Sequence, residues 1–512
     1  EEFKVVQSNL HVMSLLSSSI LTGRDLSIGV INLTMTSSSS IHTDARGYSM
    51  SSESGYGCEY NGQDGWAYRS RWGGAHGGKG GTGRQGSCSS GQTVYGNKDA
   101  PTTMGGGAVS VKGGGVIRLD ITGLLTMKSQ ARISSNGGSV GDRAGGAGGS
   151  VWIRSGTVDL AADAVLSVKG GAGSHGRHYE NRGYREYNHG GGGGGRMLLE
   201  FGAAKDNNIL STTIYVNGGA KGTSYTGASD GHGGSFVLQG TKSKTINFQI
   251  RSESKFKTVT SFDLFNVHTF TILESASLNL ATVTKLSQLV LVKMEKNSNI
   301  DSVSTTGSVE IETDEIITGE NCIVKAQSIR VYSRSAEIGS GTFMHADSWS
   351  KGTVTIVANI SLVLEKNARI SADKGGSVRL VAGEWKASRT AILSGLGGRT
   401  ADETGHESVS IAIPAGTIEP IIRVQSGTLL IEGTNASKAV NLVVQQSSQT
   451  ENLKGLTFTN VQMLQLEDSA KIEMAENFQV AEKDLRILSL LRSSILTGRD
   501  LSIGAVNVTL GT

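Results

Sequence analysis

The chain has 512 residues, of which 37% are hydrophobic and 5% aromatic, with 71 glycines, three prolines and three cysteines. It is too long for one compact core and too poor in large apolar side chains for several, which favours a core that grows in one dimension. A formal charge of +3, spread without a long basic run, argues against nucleic acid as the main partner, and no apolar run is long enough to span a bilayer.

Residues 1–45 read as short strands with a serine-rich turn at Ser37 to Ser40. They contain a stretch that returns at the far end of the chain. Ser14 to Gly29 reads SLLSSSILTGRDLSIG and Ser489 to Gly504 reads SLLRSSILTGRDLSIG, identical at fifteen of sixteen positions and about 475 residues apart. Residues 476–512 therefore repeat residues 1–37, which reads as one period of a tandem array or as a subunit with matching ends. The start at Glu1, with neither an initiator methionine nor a signal-like stretch, reads as a processing cut or an internal start.

From 46 to 107 the alternation of apolar and polar residues stops and a Gly/Tyr/Trp-rich segment takes its place. It is expected to be a loop excursion that leaves the strands and makes lateral contacts through Tyr60, Trp66 and Trp72. Cys58 and Cys88 flank its glycine-rich part and are candidates for a disulfide. Gly73 to Gly80 has the glycine and lysine spacing of a phosphate loop, but Gly80 stands where Ser or Thr should bind magnesium, so no nucleotide cofactor is assigned.

Residues 108–240 carry a short period of about 23 residues, seen in GVIRLDITGLLTMKSQARISSNGG and again in GSVWIRSGTVDLAADAVLSVKGG. Period-two alternation marks half-buried strands, and three short strands per period make one turn of a parallel β-helix with successive turns about 4.8 Å apart. The paired glycines are read as corners, where the backbone needs positive φ or lies close to the next turn. A second excursion at 174–196 offers Tyr179, Tyr184 and Tyr187 for lateral contact, and a smaller one runs from Ala220 to Gly234. His175, His178 and His189 are suitable ligand types but lack a metal-site spacing, so no metal is assigned.

From 241 to 475 glycine thins out and the strands lengthen, as in FTILESASLNL and SVEIETDEI. Glu312 and Asp314 share a strand face there, without a neighbouring histidine or cation to tune them for catalysis. Cys322 reads as a buried reduced thiol in an alternating run. Asn32, Asn359, Asn435 and Asn507 head Asn-x-Ser/Thr triplets and are candidate glycan sites, Asn32 and Asn507 being one position of the repeat.

Tyr95, Gly96, Pro101, Thr102, Gly105 to Gly107, Asn136 to Gly138 and the Gly190 to Met197 run carry a resemblance over residues 46–240. The segment resembles large glycine-rich cell-surface proteins of algae, related protists and plants, with Met197 standing where that family has Ile. The resemblance implies an extracellular, repetitive, adhesive or fibrous protein and brings no catalytic residues. The expectation is thus an all-β chain, a parallel β-helix (solenoid) with long glycine-rich excursions and very little α-helix. Its function is expected to be that of a non-enzymatic structural repeat unit of an extracellular filament such as a flagellar hair or surface fibre. Its partner is itself, end to end and laterally, with glycans a second possible partner. A polysaccharide-active β-helix enzyme and a carbohydrate-binding adhesin are the alternatives.

Overall fold

A computed structural model of the chain describes residues 2–5, 10–49, 55–60, 70–83, 93–141, 143–180, 183–204, 208–210, 214–222, 228–241, 246–250, 259–302, 307–346, 352–373, 377–387, 392–396, 408–413, 416–418, 421–424, 427–433, 440–444, 449–459, 461–466, 471–474, 478–480, 485–491, 494–497, 501–503 and 507–510. In several strands, including residues 176–180 and 183–187 and most of those beyond residue 400, the description covers the backbone only.

The described residues are all-β, with no helix. They form two compact units, Glu1–Phe270 with Ser277–Lys285, and Thr271–Ala276 with Leu286–Thr512. The division falls beyond residue 240, where the thinning of glycine had suggested a change of character.

In the first unit, parallel ladders are built from strands well separated in sequence. One column runs Phe3, Leu26, Ile117, Val151, Met197, Phe236 and Phe262, each facing the next. A second runs Leu21, Ile41, Ile133, Leu166 and Ile214. A third joins Met13 to Leu33, Leu33 to Leu125 and Leu125 to Val158. From Leu26 and Ile41 onward, the members of the first two columns are buried. Alternation along each strand thus sends one face into a shared core, and the parallel register stacks like on like. Phe236 and Phe262, neighbours in the first column, stack with ring centroids 5.5 Å apart.

The second unit repeats the scheme with longer strands. Val309 faces Ile329, then Val354, Val378, Val409 and Leu429 in turn. Ile300, Val324, Met344, Ile370, Leu393 and Ile422 form its companion column.

The corners are not where the glycines suggested. Among the described glycines only Gly55, Gly96 and Gly341 have positive φ, and the stacked turns instead carry it on Ser18, Ser38 and Gln130 in the first unit and on Ser275, Asn297, Asn321, Gly341 and Asn367 in the second. These turns stack: Asn297 N–H donates to Glu320 O, Asn321 N–H to Ser340 O and Gly341 N–H to Lys366 O. Asn and Ser tolerate the left-handed region, so glycine is not needed at most of these corners. A small buried residue follows each turn in this column, namely Ser298, Cys322, Thr342 and Ala368. Cys322 is free and buried as one member of it.

The glycines serve a different purpose. Along Gly190–Gly195 the hydrogen-bond directions recur every third residue. The carbonyls of Gly190 and Gly193 accept from Gly145 and Gly148, and those of Gly191 and Gly194 accept from Gly81 and Gly78. The amides of Gly192 and Gly195 donate to Gly171 and Val168, and those of Gly191 and Gly194 to Ser229 and His232. Three residues per turn with no internal hydrogen bond is the geometry of an extended polyproline-type helix. Such a helix ordinarily bonds to water, whereas here the neighbouring glycine segments replace the water. Neighbours can approach this closely only without side chains: a Cβ on Gly192 would come within 3.0 Å of the Gly146 carbonyl oxygen.

For the described segments that it includes, this glycine stack corrects the expectation of stand-off excursions. Trp72 to Gly78 and Gly105 to Val109 are buried, and Gly231 and Gly234 of the third excursion bond to Gly219 and Val216. Of the second excursion, Asn188 to Gly195 are buried, while His175–Glu180 and Gly183–Asn188 form an antiparallel hairpin. The low hydrophobic content therefore reflects a core made partly of satisfied backbone amides.

Candidate functional site

The repeated stretch forms the same local structure in both of its occurrences. Near the start, Glu2–Val5 pairs with Asp25–Val30 so that Phe3 faces Leu26 and Val5 faces Ile28, and Val12 faces Asn32 with Leu15 opposite Met35. Near the end, Phe478 faces Leu501, Val480 faces Ile503, Ile487 faces Asn507 and Leu490 faces Leu510. Each of these pairs is the corresponding earlier pair moved by the repeat offset. Sequence identity is thus matched by identical strand register in the two copies.

A second construction lies in the first unit, where residues 93–104 form a strap across the ends of several strands. Tyr95 O–H donates to Met104 O at 2.6 Å, and Ser150 Oγ–H donates to Thr103 O at 2.6 Å. The buried Arg196 guanidinium donates to Tyr95 O through Nε at 2.9 Å and Nη2 at 2.6 Å, and to Ser235 Oγ through Nη1 at 3.1 Å. Lys98 reaches Asp263 at 2.7 Å. Burial alone would lower the Lys98 pKa, but its hydrogen bonds to Asp263 and Asp99 outweigh that and hold it above the ordinary lysine value.

His76 sits at the centre with its ring fully buried, 5.0 Å from the Tyr95 ring. Its Nδ1 lies 2.8 Å from Gly148 O and its Nε2 2.8 Å from Thr103 Oγ1. A carbonyl can only accept, so Nδ1 carries the proton and Nε2 accepts from the threonine hydroxyl. Burial, and after it the Arg196 charge, pushes the His76 pKa down to about 3. A neutral imidazole so held has all its valences occupied. It ties the strap to the glycine stack and does not change its protonation state near neutral pH.

Of the residues picked out in the sequence, Trp72 is buried in the stack and not available for lateral contact. Tyr60, Tyr179, Tyr184 and Tyr187 lie in strands whose backbone alone is described, and Trp66 lies outside the described residues. Cys58 is disulfide-bonded, while its expected partner Cys88 lies outside the described residues. Asn359 is exposed where the strand register shifts between Ala358 and Ser361. Asn32 is half-buried, its Oδ1 accepting from Leu124 N–H at 2.9 Å. The backbone of Asn507 is in a strand, and Asn435 lies outside the described residues.

The phosphate-loop spacing finds no cradle. The amides of Gly73, Gly74 and Gly78 are spent on Gly81, Gly145 and Gly194. Glu312 is exposed and faces Tyr332 across the ladder. Among the described residues no group of three or more His, Cys, Asp or Glu is placed to hold a metal ion, and no helix is long and apolar enough to cross a membrane.

Sequence reasoning missed the set of His76, Thr103, Arg196 and Ser235. Its one visible trace was a cation at the end of a six-glycine run, Gly190 to Gly195, where a solvent-exposed side chain would have needed no such setting. Compared with protein-family models, curated proteins and solved structures, the chain matches none.

Proposed function

We propose that this chain is a structural repeat unit of an extracellular filament or surface fibre, in which the parallel ladders are the faces of a β-helix that runs from one unit of about 475 residues into the next. The observation that carries this reading is the identical strand register of the two copies of the repeated stretch. The resemblance of residues 46–240 to glycine-rich cell-surface proteins points the same way. So does the disulfide at Cys58, since such bonds persist mainly in oxidising compartments.

Negative-stain images of purified protein are expected to show elongated rods or fibres whose mean length grows with concentration. Compact particles of one size at all concentrations would overturn the reading.

In a secreted protein Asn359 is the glycan site that geometry favours, because it is exposed at a strand irregularity while Asn32 is held against Leu124. Expressed through a secretory host, Asn359→Gln is expected to lower the intact mass by one glycan and Asn32→Gln to leave it unchanged apart from the substitution. The opposite result would show that folded-state exposure does not select the site.

A further inference from the structure

We infer that the outward face of Ser308–Thr318 and Ser328–Ile338 is a self-complementary docking surface for a second copy of this chain, the acidic strand of each copy lying over the basic strand of the other. No residue it uses lies in the repeated stretch, so it goes beyond end-to-end continuation and does not depend on it.

The two strands belong to the second unit and run side by side in parallel. Alternation buries Val309, Ile311 and Thr313 of the first, and Ile329, Val331 and Ser333 of the second. The residues between them face outward. The first strand presents Glu310, Glu312 and Asp314, and the second presents Arg330, Tyr332 and Arg334, with Tyr332 43% exposed. Glu310 faces Arg330 and Glu312 faces Tyr332, while Asp314 stands level with Arg334, between the Thr313–Ser333 and Glu315–Ser335 pairs.

Elsewhere on the chain such neighbours join. Arg154 faces Glu200 on the next strand and meets it at 3.3 Å, and Lys296 meets Glu320 at 2.7 Å across stacked turns. Among the described residues Glu310, Glu312, Arg330 and Arg334 take part in no ion pair or side-chain hydrogen bond. An acidic row and a basic row therefore lie side by side, about 4.8 Å apart, with their charges turned to solvent.

That pattern selects the partner. A polyanion drawn to Arg330 and Arg334 meets the carboxylates of the next strand, and a polycation drawn to the carboxylates meets the arginines. A partner that satisfies both rows carries an acidic strand beside a basic one at the same spacing, and this face is itself such a surface. A twofold axis parallel to the strands and midway between them lays the face on its own copy. Glu310 then lies over the second copy's Arg330, Glu312 over its Tyr332 and Asp314 over its Arg334, and each pair occurs twice. An axis running across the strands would instead put Glu310 over Asp314 and Arg330 over Arg334, like charge on like. The charges thus fix the orientation, with strands of the two copies parallel and their stacking directions opposed.

The test is charge-swap complementation in the full 512-residue chain, with a tagged copy on a resin retaining an untagged one. At low salt the native chain is expected to retain itself. Glu310→Arg and Arg330→Glu should each retain their own kind at least about tenfold less, because each sets like charges over one another twice. Mixing the two restores both pairs across the copies but neither within a chain. Tagged Glu310→Arg is therefore expected to hold untagged Arg330→Glu at the native level, and to release it at about 1 M salt. Such recovery also shows that both variants are folded. Single variants that retain their own kind as the native chain does, or a mixture that fails to recover, would overturn the inference. So would a native chain that binds an acidic polysaccharide through Arg330 and does not retain itself. End-to-end contact contributes equally to every combination, so rods in the microscope with no dependence on these charges would leave the filament reading standing.

Discussion

Gly192→Ala is expected to destabilise the first unit by about 3–5 kcal/mol, a cost out of proportion to one methyl group on a surface loop. The added Cβ would come within 3.0 Å of Gly146 O and crowd the neighbouring backbone, which has no side chain to swing aside. The segments must part, and two bonds stretch at once: Gly192 N–H to Gly171 O at 2.9 Å, and Gly219 N–H to Gly192 O at 2.8 Å. Overpacking in a close-packed core typically costs about 1–3 kcal/mol, and each buried amide left without a partner adds about 1–3 kcal/mol. Gly141→Ala is the control. Nothing lies within 4 Å of a Cβ there, so its effect should stay within about 0.5 kcal/mol. Urea unfolding of the two variants, with hydrogen exchange at the Gly171, Gly192 and Gly219 amides, makes the comparison. Equal midpoints would mean that the glycine segments are not close-packed.

The strands were legible because their signal is local. In Val116–Met127 and Ser328–Ile338 the alternation of apolar and polar residues can be read directly, and the structure buries the aliphatic set except Leu124. The repeated stretch was legible for a similar reason, since identity at fifteen of sixteen positions needs no knowledge of the fold. Its registers then followed, because the same apolar pattern meets the same neighbours.

The glycine stack was not legible, and the reason is physical. Apolar periodicity reports cores made of side chains, whereas Gly190 to Gly195 contributes to a core by having none. A three-residue hydrogen-bond period leaves no mark in a homopolymeric run. Gly73 to Gly81 accordingly looks like part of an excursion, although the amides of Gly78 and Gly81 and the carbonyl of Gly74 bond to Gly194, Gly191 and Gly193, more than a hundred residues away. The strap escaped notice for a related reason. Its anchors His76, Thr103 and Arg196 are scattered through the sequence and are brought together only when the glycine segments pack.

His76 provides the second large effect, a loss of stability on acidification that belongs to one side chain. Its folded pKa is pushed down to about 3, chiefly by burial and then by Arg196, from an ordinary value of 6.5. Between those two values the unfolded chain takes up a proton that the folded ring refuses, so stability falls as pH falls through that window. The contribution is fully present above about pH 6.5 and is reduced by about 3 kcal/mol at pH 4, at about 1.4 kcal/mol per pH unit. Carboxylates titrate in the same range, so the informative quantity is the difference between the native chain and His76→Gln. Glutamine can still donate to Gly148 O and accept from Thr103 Oγ1, but it does not titrate. The variant is expected to be somewhat less stable at pH 7 and to lose distinctly less stability between pH 7 and pH 4, so that the two curves converge or cross. Parallel curves would show that His76 is reached by solvent protons in the folded state, and with that the strap would no longer be a closed, buried contact.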